Sequence, residues 1–155
     1  MRVLAKTAAA ALLAACVACR GGDARPAAVD TRNDACASCR MPVSDPTLAA
    51  QLAAPGEEAR FFDDIECLRD FLAHAGSLPI GSVAYVADHR TSAWAPAAGA
   101  VFSRCHSIET PMGSHIVAHA NTASRAADPT ASACAPLSPE ELFGPAGPPD
   151  GKKAG

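Results

Sequence analysis

The sequence lacks the signals of several common functional classes. Its 13 basic and 16 acidic residues nearly balance, and no basic stripe alternates with aromatic residues, so nothing indicates nucleic-acid binding. No Gly-x-Ser-x-Gly motif occurs, and no serine or cysteine is visibly tied to a His/Asp pair, which leaves hydrolytic chemistry without a basis. Cys39 is followed by Arg40, where c-type haem attachment requires a histidine. These absences leave nucleic-acid binding, hydrolysis and c-type haem attachment without support.

The apolar run near the N-terminus is too short to span a bilayer but has the layout of a secretory signal. An uncharged Ala/Leu stretch follows Arg2 and Lys6 and ends in Leu-Ala-Ala-Cys, which resembles the lipobox of bacterial lipoproteins. We predict a signal peptide over residues 1–15 and a lipid on Cys16 that anchors the protein in the bacterial cell envelope, facing the periplasm. Cys19 fits less well because no leucine lies three residues before it, and an ordinary cleaved signal is the alternative.

Composition divides the rest of the chain into three parts. Residues 16–33 contain few large apolar side chains and several Gly, Pro and charged residues, which predicts a disordered tether. Residues 34–127 have the length of a single small domain. Residues 128–155 are rich in Pro, Gly and Ala, and we expect them to form a loosely attached tail.

The pattern of the domain predicts an α+β fold in which β-hairpins are each followed by a helix. Apolar stretches on both sides of Pro55-Gly56 predict a hairpin, and Asp63 or Asp64 then caps a helix that ends at Gly76. Trp94 is expected to anchor the core. The later predicted elements are strands over residues 81–88, 100–103 and 116–119, and a short helix capped by Asn121.

The number of cysteines is the first indication of a metal site. Five cysteines follow the tether, namely Cys36, Cys39, Cys67, Cys105 and Cys134. Cysteines tend to pair in an oxidising envelope, so an odd number leaves at least one thiol free or bound to something else. The pair Cys36 and Cys39, taken alone, fits a redox couple, half of a zinc knuckle or a disulfide.

Met41 separates these interpretations. Copper(I) is a soft ion that prefers thiolate and thioether ligands, whereas zinc seldom takes a thioether. A thioether also keeps its electron pair at any pH and cannot be lost to a disulfide. The loop therefore indicates a copper(I) site made of Cys36, Cys39 and Met41. The alternatives are that Met41 fills an apolar gap and that the two cysteines form a disulfide.

A second soft donor lies in Thr-Pro-Met-Gly-Ser-His. Met112 precedes His115 and His119, and in a helix all three share a face, while in a strand the two histidines still share one. Met112 is the preferred ligand of this stretch, and His115 is the histidine added to the candidate set. His89 and His106 have no patterned partner and carry no prediction.

Three residues around the predicted helix have competing interpretations. Cys67 lies in the first turn, where the N-terminal field favours a thiolate, and it either approaches the Cys36/Cys39 loop or serves as a half-buried core residue. Asp63 and Asp64 suit helix capping, which requires fewer assumptions than general acid–base catalysis.

Several stretches, taken in order, resemble the NosL family of nitrous oxide reductase accessory lipoproteins. They are the lipobox, CASCRM, FFDDIEC, YVADHRTSAWAPAAGAVF and TPMGSHIVAHA, and the likeness runs from about Ala35 to Ala120. The resemblance implies an envelope-anchored copper(I) binder that helps to supply copper to nitrous oxide reductase. It also implies an α+β fold of two similar β-hairpin and helix units.

The family holds its copper with Cys, Met and His side chains. The resemblance places the loop ligands on Cys39 and Met41, with Cys36 as the other thiol and Met112 in the Pro-Met-Gly stretch. The histidine has no definite counterpart.

The chain departs from the family pattern at two positions. Arg40 stands where the family has Gly, and His119 stands where an apolar aromatic residue is usual, either as a lost core residue or as an added ligand.

These observations predict a non-enzymatic copper(I) chaperone that passes the ion to an acceptor protein by ligand exchange. A thiol-disulfide oxidoreductase using Cys36 and Cys39 is the first alternative, although such enzymes usually begin a helix after the motif and Pro42 does not favour one. A zinc-stabilised structural module is the second alternative.

Overall fold

Two antiparallel sheets carry the fold of residues 23–152, the part of the chain that the computed structural model describes. The elements are, in chain order, β1 (Ala50–Ala53), β2 (Arg60–Phe62), α1 (Ile65–His74), β3 (Val83–Ala87), β4 (Trp94–Pro96), β5 (Val101–Arg104), β6 (Ile116–His119), α2 (Thr122–Ala126), β7 (Ala135–Leu137) and α3 (Pro139–Phe143). The predicted α+β class is confirmed. The predicted signal peptide and the lipid on Cys16 lie outside the described residues.

The chain builds the same arrangement twice. The first sheet has the order β2-β1-β3-β4 and the second has the order β6-β5-β7. In each sheet an antiparallel hairpin is followed by a helix and by a strand that pairs with the first strand of the hairpin. The two ββαβ units are therefore β1-β2-α1-β3 and β5-β6-α2-β7, which agrees with the expected pair of hairpin and helix units.

A tight turn leads into the first unit. The Cys36 N–H donates to the Met41 carbonyl over 2.8 Å, and the Arg40 N–H donates to the Cys36 carbonyl over 3.0 Å. The Ala37 N–H donates to the carbonyl of Phe61 in β2 over 2.8 Å, which attaches the turn to the hairpin. The turn therefore has a fixed position beside the end of β2.

An equivalent turn leads into the second unit. The Asp88 N–H donates to the Ala93 carbonyl over 2.8 Å, and the Ser92 N–H donates to the Asp88 carbonyl over 2.7 Å. The His89 N–H donates to the carbonyl of Ala118 in β6 over 2.8 Å. Cys36 and Asp88 thus occupy matching positions in the two units.

Helix α1 begins and ends where the sequence predicts. The Asp64 side chain accepts a hydrogen bond from the Glu66 N–H over 2.8 Å and caps the first turn. Gly76 follows the C-terminal end with a φ of 63°, a conformation that glycine adopts without a Cβ clash. The N-terminus of α1 consequently lies directly after β2.

One apolar core joins the two sheets with helices α1 and α3. It contains side chains from both units and from α3, among them Leu52, Phe62, Leu68, Val86, Phe102, Ile116 and Leu142. Trp94, which we expected to anchor this core, is only half-buried because it lies in the edge strand β4, where its ring faces Phe61 at a centroid distance of 6.4 Å. That expectation is wrong.

Residues 128–152 differ from the loosely attached tail that their composition predicts. Cys134 forms a disulfide with Cys105, and β7 pairs with β5 as the third strand of the second sheet. Leu142 of α3 is buried in the core, and the Ala84 N–H donates to the Pro149 carbonyl over 2.9 Å. A few anchoring contacts hold a segment that is otherwise poor in large apolar residues.

Residues 23–33 also differ from the predicted disordered tether. The Tyr85 hydroxyl donates to the Ala24 carbonyl over 2.8 Å. The Ala27 N–H donates to the buried Gln51 side chain over 2.8 Å, and the Gln51 amide donates back to the Ala27 carbonyl over 3.0 Å. Hydrogen bonds from the side chains of Tyr85 and Gln51 to its backbone hold this segment in place of apolar burial. Within residues 23–152, no helix combines the length and the apolar character that a membrane crossing requires.

We predict that Asp88→Asn lowers the free energy of unfolding by about 1–3 kcal/mol at pH 7, because a buried carboxylate that accepts several hydrogen bonds is removed. The Asp88 carboxylate accepts N–H groups of Arg90, Thr91 and Ala120. Burial alone would raise the pKa of Asp88, but the Ala120 N–H and the Thr91 hydroxyl, with other hydrogen bonds, outweigh it and hold the pKa at about 2.

The free energy of unfolding measured against pH shows in which direction Asp88 acts. Because the folded pKa lies below the unfolded one, the Asp88 contribution is complete above about pH 4 and is lost as the pH falls towards about 2. Chemical unfolding between pH 7 and pH 2 should show this loss in the wild type and not in Asp88→Asn. The exposed Asp70→Asn is the control, and coincident profiles for the wild type and Asp88→Asn would contradict the prediction.

Candidate metal centre

Three free thiols and one carboxylate converge at the beginning of the first unit. One ligand atom each from Cys36, Cys39, Asp63 and Cys67 lies within 4.8 Å of the others. All three cysteines are free, whereas Cys105 and Cys134 are joined in a disulfide. The alternative that Cys36 and Cys39 pair in a disulfide is therefore not what the structure shows.

Three consecutive parts of the fold supply these ligands. The turn that begins at Cys36 presents Cys36 and Cys39, the end of β2 leads directly into Asp63, and the first turn of α1 presents Cys67. The Cys39 N–H also donates to the Cys36 Sγ over 3.4 Å, which holds both residues in one compact turn. The interpretation of Cys67 as a residue that approaches the Cys36/Cys39 loop is confirmed.

Cys39 is the solvent-accessible donor of this group, and the other three donors are buried. Cys36, Asp63 and Cys67 are exposed by only 0%, 1% and 3%. Cys39 is partly exposed. An ion can therefore approach from the side of Cys39 while the remaining donors stay shielded from water.

The surroundings of Cys39 and Cys67 favour their protonated thiols. The Cys39 thiol donates to both carboxylate oxygens of Asp63 over 3.4 Å. Burial, with contributions from Cys36 and Asp63, raises the pKa of Cys39, and burial together with Asp63 and Cys36 raises the pKa of Cys67 far above its ordinary value. A metal ion that binds these sulfurs as thiolates must displace their protons.

The sequence did not identify Asp63 as a member of the group. We assigned Asp63 and Asp64 to helix capping, and only Asp64 has that role. Asp63 faces the thiols instead. The signal was present in Phe-Phe-Asp-Asp-Ile-Glu-Cys, where the residue before the N-cap and the third helical residue lie beside each other once a helix forms.

The two candidate methionines lie in loops beside this group, and both are exposed. Met41 closes the turn through its carbonyl, and its residue is 58% exposed. The Met112 N–H donates to Asp64 Oδ2 over 3.0 Å, and the Ser114 hydroxyl donates to Asp64 Oδ1 over 2.7 Å, so the Met112 loop is attached to the N-terminus of α1. Met112 is 46% exposed. As thioether ligands, both methionines stay predictions.

His115 is not brought into the group of thiols. Its Nδ1 bonds with the Ile108 carbonyl over 2.8 Å, and its ring lies 5.3 Å from the His106 ring, measured between centroids. Its backbone φ of 57° places the residue in the left-handed region, so neither the helical nor the strand periodicity applies to its side chain. The sequence spacing between Met112 and His115 therefore did not predict where the His115 side chain lies.

Comparisons with protein-family models, with curated proteins and with solved structures found no match for this chain. The resemblance to the NosL family therefore depends on the ordered motifs of the sequence, and it stays a prediction. The geometry of the site has to be argued from its own residues.

We predict that Arg40→Gly raises the free energy of unfolding by up to about 1 kcal/mol. Arg40 has a φ of 68°, in the left-handed region, which costs a non-glycine residue about 1–2 kcal/mol, while glycine gives back about 0.5–1 kcal/mol in unfolded-state entropy. Urea denaturation measures the difference. Arg40→Ala is the matched control because it removes the charge and keeps the strain, and equal stability of the Ala and Gly variants would contradict the prediction.

Proposed function

We propose that this protein is a copper(I) carrier of the bacterial cell envelope that holds the ion in a sulfur site and passes it to an acceptor protein. The observation that carries the proposal is the convergence of three free thiols around a partly exposed Cys39. Two exposed methionines in the adjoining loops add soft donors at the same end of the molecule. Thiolate and thioether sulfurs are the ligands that copper(I) prefers.

Copper(I) and zinc, its main competitor for this site, would use Asp63 differently. A zinc ion would take the three thiolates and the Asp63 carboxylate as four ligands, since zinc is usually four-coordinate in structural sites. Copper(I) tolerates a lower coordination number and needs only the sulfurs. In a copper carrier, Asp63 then has the role that its geometry supports, which is to accept hydrogen bonds from the Cys39 thiol.

The second ββαβ unit argues against a purely structural metal. Its turn has the same backbone hydrogen bonds as the Cys36 turn, with Asp88 in the position of Cys36. The Asp88 carboxylate closes that turn by accepting backbone N–H groups and the Thr91 hydroxyl, without any thiol. Because this fold can close the turn with oxygen alone, three thiols in the first unit indicate a binding role.

The environment of Cys39 argues against a thiol-disulfide oxidoreductase. Such enzymes lower the pKa of an accessible thiol, commonly at a helix N-terminus. Here burial raises the pKa of Cys39, and the motif leads into a turn with Arg40 in the left-handed region rather than into a helix. We therefore propose a metal-binding protein rather than a thiol-disulfide oxidoreductase.

The position of the exposed sulfurs suggests how the ion leaves. An acceptor with sulfur ligands would meet Cys39, Met41 and Met112 first, while Cys36 and Cys67 stay buried. Stepwise ligand exchange then moves the ion outward without releasing it to water. On the motif resemblance alone, we propose nitrous oxide reductase as the acceptor and a lipid on Cys16 as the membrane attachment.

We predict that the reduced protein binds copper(I) tightly in an anaerobic competition titration with a chromogenic chelator. Cys39→Ser should abolish competition, because it removes the accessible thiolate. Met41→Ala should weaken binding about tenfold, or about 1.4 kcal/mol, because it removes a soft donor. Ile80→Ala is the matched control, since Ile80 is another exposed apolar residue, at 77%, outside the centre.

A zinc titration of Asp63→Asn separates the two ions. If copper(I) uses only sulfur, the variant should keep copper(I) affinity within about threefold, and its thiol centre should lose zinc affinity by tenfold or more. A wild-type thiol centre that binds zinc in preference to copper(I), or a Cys39→Ser variant with unchanged copper(I) affinity, would contradict the proposed function.

A further inference from the structure

A second group of metal-ligand side chains lies in the second unit, away from the thiols. His89 comes from the turn after β3, His119 is the last residue of β6, and Asp128 follows α2. Asp128 Oδ2 lies 2.8 Å from His89 Nδ1 and 2.9 Å from His119 Nε2. Three separate parts of the fold thus direct two imidazoles to one carboxylate oxygen.

His119 occupies a position where the first unit has an aromatic hydrocarbon. The turn residues Ala37 and His89 bond to the carbonyls of Phe61 and Ala118, so the next residues, Phe62 and His119, are equivalent. Both side chains are fully buried. An apolar ring would pack there without leaving a polar atom unpaired, so packing alone does not account for the imidazole.

One nitrogen of the buried His119 imidazole is also left without a hydrogen bond among residues 23–152. His119 is 0% exposed, and its Nδ1 has no hydrogen-bond partner in the described part of the chain. At this depth, an unpaired polar atom destabilises the folded state because it has lost its hydrogen bonds to water. A role beyond the hydrogen bond to Asp128 would explain why the chain retains a histidine here.

Hydrogen bonds from Thr130 fix the orientation of the Asp128 carboxylate. Its Oδ1 accepts the Thr130 N–H over 2.9 Å and the Thr130 hydroxyl over 2.6 Å, which fixes the carboxylate and leaves Oδ2 for the histidines. Support of a ligating carboxylate by neighbouring hydrogen bonds is usual in metal sites.

We infer that His89, His119 and Asp128 form a second metal site, which binds a divalent ion of the zinc type. Imidazole and carboxylate suit such ions, whereas copper(I) prefers the sulfurs of the first centre. The side chain of His89 is 16% exposed, which gives an ion access and leaves a position for water. The inference uses no residue of the thiol centre and does not depend on the proposed function.

The geometry needs only a small adjustment to accept the ion. The three ligand atoms lie within 4.8 Å of one another. Bonds of about 2.0–2.1 Å to each ligand require the nitrogen and oxygen atoms to separate by about half an ångström more than in the present hydrogen bonds. His89 lies in a surface turn and can move away from Asp128, and the 2.9 Å contact between His119 Nε2 and Asp128 Oδ2 has to lengthen by a similar amount.

Zinc content by equilibrium dialysis of the reduced full-length chain tests the site. His119→Phe copies the residue of the first unit and should bind one zinc ion fewer than the wild type. With cobalt(II) as the probe, the ion lost in this variant should leave the sulfur-to-cobalt charge-transfer band unchanged, because the lost site contains no sulfur. Equal metal content in the wild type and His119→Phe would overturn the inference.

A second variant covers the case in which His119→Phe fails to fold. His89→Gln changes a partly exposed ligand and should weaken zinc binding at this site by about tenfold or more. His74→Phe, at the exposed end of α1, is the matched control and should keep the wild-type zinc content. A folded His89→Gln protein with wild-type zinc affinity, or the same zinc loss in His74→Phe, would also overturn the inference.

Discussion

The attachment of the Cys36–Met41 turn to strand β2 is the constraint on which the candidate centre depends. Two backbone hydrogen bonds, from Cys36 to Met41 and from Ala37 to Phe61, fix the turn where β2 passes into α1. Asp63 and Cys67 follow directly from that junction, so four ligands meet without any long-range adjustment. The core side chains Phe62 and Leu68 then hold the strand and the helix in place, so the packed core fixes the positions of the residues in the centre.

The two ββαβ units show how one backbone arrangement serves different chemistry. In the first unit, Cys36 occupies the start of the turn, and in the second unit Asp88 does so. The first unit brings together soft sulfur donors, of which Cys39 hydrogen-bonds to Asp63, whereas the carboxylate of Asp88 accepts backbone N–H groups of its own turn. In the second unit a histidine occupies the position of Phe62, and its imidazole lies beside a carboxylate and a second imidazole, which are harder donors than thiols.

Local signals account for the parts that the sequence predicts well. The Pro55-Gly56 turn, the cap at Asp64 and the glycine after α1 act within a few residues, so the first hairpin and the helix are as expected. The cysteine spacing likewise brought Cys36 and Cys39 together. Asp63, the folded residues 128–152 and the position of His115 depend on tertiary contacts and on a left-handed backbone angle, which no periodicity reveals.

X-ray absorption at the copper edge of the protein loaded with one equivalent of copper(I) tests the central claim most directly, because it reports the atoms that surround the ion. The account predicts a first shell of sulfur alone, with a lower sulfur count in Cys39→Ser if any copper remains bound. A first shell containing nitrogen or oxygen, or copper that stays bound unchanged in Cys39→Ser, would contradict the assignment of the ion to the Cys36, Cys39 and Cys67 centre.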